Sequence, residues 1–181
     1  MKLLSDNLKK AGYFNAILIV IAIVFRLCFI GSFPTARMID SIICTIALIF
    51  GLFYSLSGYK KDAAKYYKAF MYLYLVSSLL SFIASIASSL VEDKSTVMIV
   101  ANAVVLVAVF ILAFIKDLGA KKSIVLALAI LVISVVKMCF AVLTTTALSL
   151  ISIHFANLML ACILCVFVAA KYADKKSRGA K

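Results

Sequence analysis

The chain is poor in the residues that interrupt helices and in those that commonly catalyse. It has one proline, six glycines, one histidine and no tryptophan in 181 residues. Between Lys121 and Arg178 there is neither glycine nor proline, so nothing in the backbone chemistry of that stretch forces a loop. No glycine-rich phosphate loop occurs. A single His154 cannot supply the several His or Cys ligands at set spacing that zinc sites and metalloproteases use. Paired carboxylates within the apolar runs are missing, and the last three runs hold no glycine to frame a nucleophilic serine. No catalytic residue, metal or cofactor is expected, and the chain is read as a non-enzyme.

What is present is apolar length. Hydrophobic residues make up 66% of the chain and charged ones 14%, with a mean hydropathy of +1.20. Six long apolar runs lie near residues 12–33, 38–57, 69–91, 97–115, 123–146 and 147–170. A helix needs about 20 such residues to cross the hydrocarbon core. Six crossings and their connectors use nearly the whole chain, so residues 1–181 read as one all-α domain, a polytopic membrane bundle of six helices. Pro34 after Gly31 ends the first helix, Ser57-Gly58 stops the second, and Glu92-Asp93-Lys94 turns the chain between the third and fourth. A single helix over the last 48 residues or so would be roughly 70 Å long at 1.5 Å per residue. A turn is therefore expected from Thr144 to Ser149.

Charge gives that bundle a direction. Of the 19 Lys and Arg residues, Lys2, Lys9, Lys10, Lys60, Lys61, Lys65, Lys68, Lys116, Lys121, Lys122, Lys171, Lys175, Lys176, Arg178 and Lys181 fall on one side of a six-span threading. The loops opposite hold Arg37 and Lys94. Cytoplasmic loops carry the Lys/Arg excess, which predicts a plasma (cytoplasmic) membrane protein with both termini inside. The same excess explains the net charge of +12 through topology and attraction to anionic lipid headgroups, without nucleic acid. The first run follows basic residues as a signal peptide would, but Arg26 interrupts it and no small-residue cleavage site follows. It is read as a retained helix.

Three groupings invite a function. Ser77, Ser81, Ser85, Ala84 and Ser88 put small residues at four-residue spacing on the third helix, the pattern that lets membrane helices approach closely, within the bundle or against a partner or second copy. Tyr59, Lys60, Lys61, Lys65, Tyr66, Tyr67 and Lys68 read as a headgroup anchor. The five cysteines, Cys28, Cys44, Cys139, Cys162 and Cys165, all fall inside spans, and Cys162-x-x-Cys165 has no neighbouring cation in sequence to lower a thiol pKa. Neither a disulfide framework nor redox chemistry is indicated.

The polar residues inside the spans gather at one depth. Arg26 is about 10 Å and Lys137 roughly 13 Å short of the outer ends of their helices by helix rise. Asp40, Asn102, His154 and Asn157 fall in the same half. A charge inside a bilayer costs about 3 kcal/mol or more unless it finds a partner or water. Two accounts fit. In one, the cations snorkel to the headgroups and the amides join helices. In the other, these six residues line a shared outer site in which Arg26 and Lys137 hold an anionic group, Asp40 pairs with one of them, and the remainder orient a solute.

In size and topology, six short-looped helices with an outward site, the chain resembles the substrate-capture subunits of energy-coupling-factor vitamin transporters. That resemblance implies solute binding. It does not extend to the docking pattern of the first helix, where Ala11, Asn15, Ala16 and Ala22 make no clean four-residue series. The expectation is a small membrane protein that binds or transports a small solute, an anionic one where Arg26 and Lys137 hold it; the alternative is a non-catalytic scaffold or partner-binding subunit working through the third helix or the basic-aromatic segment from Tyr59 to Lys68.

Overall fold

The computed structural model describes residues 2–29, 35–91, 96–115, 118–144 and 148–179. Six helices account for nearly all of them: α1 Lys2–Phe29, α2 Thr35–Leu56, α3 Ala64–Val91, α4 Thr96–Phe114, α5 Ala120–Thr144 and α6 Leu148–Gly179. Each is long and apolar enough to cross a membrane, and the protein is an all-helical, multi-pass integral membrane protein. The breaks expected at Gly31–Pro34 and Glu92–Lys94, and residues 145–147 of the expected last turn, lie outside the described residues. The first and last helices run well beyond their apolar cores, to Lys2 and Gly179. Lysine and arginine are good helix formers, so a helix need not stop where it leaves the hydrocarbon.

Each helix packs on the next in sequence, and α6 returns to α1, closing a ring. Polar contacts show that neighbours run antiparallel. Asn15 early in α1 meets Ser55 late in α2, and Arg26 late in α1 meets Asn157 early in α6. Ser123 at the start of α5 likewise meets Tyr172 near the end of α6. One end of the ring thus carries both terminal segments, here called the terminal end.

Side chains sort by helical face. On α1, Gly12, Asn15, Ala16, Ile19, Ala22 and Arg26 face inward, while Ile17, Val20, Ile21 and Val24 are exposed. On α5, Val125, Leu128, Val132 and Val136 are exposed at three- and four-residue spacing. A large apolar surface of this kind belongs in contact with lipid tails. With lipid outside as apolar as the core, association rests on close packing and polar contacts rather than on hydrophobic drive.

The terminal end is closed by aromatic rings. Phe167 of α6 is fully buried and packs edge-on against Phe70 at 4.9 Å and Tyr54 at 5.2 Å between ring centres, with Tyr59 at 6.1 Å and Tyr67 at 6.4 Å. Gly51 makes room, since a Cβ there would sit 3.2 Å from the Phe167 ring and 3.3 Å from Phe70. A Schellman turn delivers Tyr59 to this cluster. Gly58 adopts φ 63°, its N–H donates to the Ser55 carbonyl at 3.0 Å, and the Tyr59 N–H donates to the Tyr54 carbonyl at 3.3 Å. Such turns commonly bring together the residue after the glycine and one a turn back in the helix, and the Tyr54 and Tyr59 rings lie 5.2 Å apart. The connector is therefore not simply a headgroup anchor. Tyr59 and Tyr67 turn inward, whereas Tyr66 stays nearer the rim, with Lys65 over its ring at 5.2 Å.

Candidate functional site

At the end opposite the aromatic closure, polar side chains from all six helices point into the ring. Arg26, three residues from the end of α1, is only 4% exposed. Its Nη2 donates to Asn157 Oδ1 of α6 at 2.8 Å, and its Nε is buried without a hydrogen-bond partner. Phe25 and Phe155 pack beside this contact with ring centres 5.0 Å apart and tilted by 56°, adding to the α1–α6 contact. Lys137 of α5 is 7% exposed and donates to Asn102 Oδ1 of α4. A snorkelling cation keeps its head in water or among headgroups. Both of these are instead enclosed by protein, each bonded to an amide of a neighbouring helix.

Asp40, near the start of α2, is buried and receives its hydrogen bonds from hydroxyls. Ser77 donates to its Oδ1 and Ser81 to its Oδ2 at 3.3 Å. Cys44, one turn further along α2 and fully buried, lies 2.8 Å from Ser77 Oγ and donates toward Asp40 Oδ1 at 3.9 Å. The ion pair expected between Asp40 and one of the two cations is not among the contacts of the described residues. Hydroxyl donors can hydrogen-bond a carboxylate without carrying a compensating charge.

Asn102 joins these groups into a line. Its Nδ2 donates to the Ser81 carbonyl at 3.4 Å while its Oδ1 accepts from Lys137. A polar chain thus runs Asp40–Ser81–Asn102–Lys137 across α2, α3, α4 and α5. A second, separate contact, Arg26–Asn157, joins α1 to α6. His154 sits one turn before Asn157 on α6, half-buried.

Depth along the helices singles out Arg26, Asp40, Asn102, Lys137, His154 and Asn157 in the sequence; it does not single out Cys44, Ser77 and Ser81, which lie against Asp40. The serines were visible as a small-residue stripe. Their second signal was that Asp40-x-x-x-Cys44 and Ser77-x-x-x-Ser81 both place polar groups at four-residue spacing on helices joined by a short connector, where faces meet. With Ser77 and Ser81 turned to Asp40 of the same chain, that part of the stripe is internal.

Cys162 and Cys165 are free thiols away from this site, and Cys165 donates to the Ala127 carbonyl of α5 at 3.3 Å. Among the described residues no three His, Cys, Asp or Glu side chains come together as a metal site would require. No known family, characterised protein or solved structure matches the chain. The fold and site by themselves define a six-helix integral membrane protein with a polar, charged centre at one end and an aromatic closure at the other.

Proposed function

We propose that this protein binds a small charged solute among Arg26, Asp40, Asn102, Lys137 and Asn157, with His154 at the margin, and carries or delivers it across the plasma membrane. The observation that supports this most is Arg26. An arginine within the membrane costs about 3 kcal/mol or more. One hydrogen bond from a charged group returns about 1.5–3 kcal/mol, and Asn157 supplies the one described. The buried Nε adds an unmet donor. A bundle selected only for stability would place an apolar residue here, whereas a solute anion would use both the charge and the donor.

The positive-inside distribution orients the terminal end toward the cytoplasm, with its lysines near anionic headgroups. In that orientation the site faces outward and the Phe167 cluster blocks the way in. Such an arrangement suits a protein that captures its solute from outside and releases it after a rearrangement of the closed end. The scaffold alternative loses Ser77 and Ser81 from its helix surface, because both bond within the chain.

Native mass spectrometry of the protein released from mild detergent tests the reading. Wild-type protein is expected to retain a small charged molecule that an Arg26→Gln, Lys137→Gln double variant of equal helicity does not. Identical ligand-free spectra for both, after incubation with extracts of small metabolites, would count against it.

A further inference from the structure

Arg26 and Asp40 are opposite charges on neighbouring helices, and among the described residues no ion pair joins them. Both lie within a few residues of the same helix ends, on α1 and α2. Asp40 has the Cys44 thiol 3.9 Å from its Oδ1, on the same buried face of α2. Opposite charges in a low-dielectric interior attract strongly, and a direct Arg–carboxylate fork is among the best contacts available to them. Here each is drawn aside by a neutral partner on its far flank. Asn157 on α6 takes the guanidinium, and Ser77 and Ser81 on α3 take the carboxylate.

On the reading proposed above, we infer that the solute is a zwitterion of the α-amino-acid type, its carboxylate on Arg26 and its ammonium on Asp40. A carboxylate reaching Arg26 finds Nε without a partner, beside the Nη2 already fixed by Asn157. An ammonium has three donors and no acceptor, which matches Asp40, whose Oδ2 takes one described bond at 3.3 Å. A plain anion at the same place is repelled by Asp40, and a plain cation by Arg26. A molecule carrying both charges a few ångströms apart meets neither penalty and adds a charged partner to each buried group. The neutral anchors act as spacers that hold the charges apart.

Equilibrium binding to the purified full-length protein in detergent tests the inference. Tritiated L-amino acids in pools serve as probes, and for each binding amino acid the matched carboxylate without the amine and the matched amine without the carboxylate serve as competitors. An amino acid is expected to bind, with each half-molecule weaker by about thirtyfold or more, the loss typical of removing one partner of a buried charge pair. Asp40→Asn should weaken the amino acid by a similar factor while leaving residual affinity for the matched carboxylate unchanged or improved, and Arg26→Gln should weaken both. The competition arm uses only wild-type protein and decides the matter even where a variant does not fold. A carboxylate or phosphate compound without an amine that binds as tightly as any amino acid would overturn the zwitterion and leave the solute site standing. No binding by any charged solute to folded wild-type protein would remove both.

Discussion

Gly12 is the point where the packing of α1 on α2 has least tolerance. A Cβ there lands 2.5 Å from the Ser55 carbonyl oxygen, about 0.9 Å inside the 3.4 Å at which ordinary contact begins. The obstacle is backbone, so Gly12→Ala must push the two helices apart. Two hydrogen bonds cross the same junction near their limiting length, Asn15 Nδ2 to Ser55 Oγ at 3.3 Å and Tyr59 OH to the Ala11 carbonyl at 3.4 Å. A displacement approaching 1 Å breaks both, for about 0.6 kcal/mol each on the scale of membrane interhelical bonds. Overpacking strain adds about 1–3 kcal/mol. The gain in helix propensity from glycine to alanine returns about 1 kcal/mol. Steric and polar losses outweigh propensity, and the variant should be about 2 kcal/mol less stable. Reversible unfolding in mixed micelles, with lipid-facing Ile17→Ala as control, measures this. Because Arg26 lies about 20 Å along the helix by rise, solute binding by the folded fraction should be unchanged. A Gly12→Ala protein as stable as wild type would refute the close α1–α2 approach and the role of glycine in it.

Three further outcomes follow from the same contacts. Phe167→Ala should cost about 3–4 kcal/mol, as expected for a fully buried ring, whereas Phe167→Leu should cost about 1 kcal/mol; equal melting of the two variants would deny the ring its central place. Burial pushes the Tyr59 phenol up from its ordinary value of 10, so the unfolded chain loses that proton before the folded protein does. Its contribution to stability is complete below pH 10 and falls as pH rises from there toward the folded value, and the alkaline slope of the melting temperature should shrink in Tyr59→Phe. A fluorescent-protein fusion at the C-terminus should be bright and an alkaline phosphatase fusion there silent in cells, and the reverse would invert the bundle.

The architecture was largely legible because membrane spans are set by length and hydropathy, and six apolar runs have few other uses in 181 residues. The depth of Arg26, Asp40, Asn102, Lys137 and Asn157 was legible too, since helix rise converts residue count into distance. Direction around each helix was not. Ser77 and Ser85 share the four-residue stripe, yet Ser77 bonds to Asp40 and Ser85 to the Phe82 carbonyl of its own helix. Only the neighbouring helices settle that difference. Tyr59 shows the same limit: its composition-level reading was an anchor at the headgroups, and a three-residue turn with Gly58 at φ 63° swung it into the core. Asp40 shows it as well: its described donors are the hydroxyls of Ser77 and Ser81 on the next helix, a choice that residue spacing alone does not make.

The most direct test of the central claim, that the enclosed charges form a solute site, is the melting temperature of the detergent-purified protein against pooled small metabolites. Wild type is run beside the Arg26→Gln, Lys137→Gln double variant. The account predicts that at least one pool of charged solutes raises the wild-type transition and leaves the variant unmoved. Equal transitions for both proteins in every pool would contradict it and return Arg26 and Lys137 to a purely structural role.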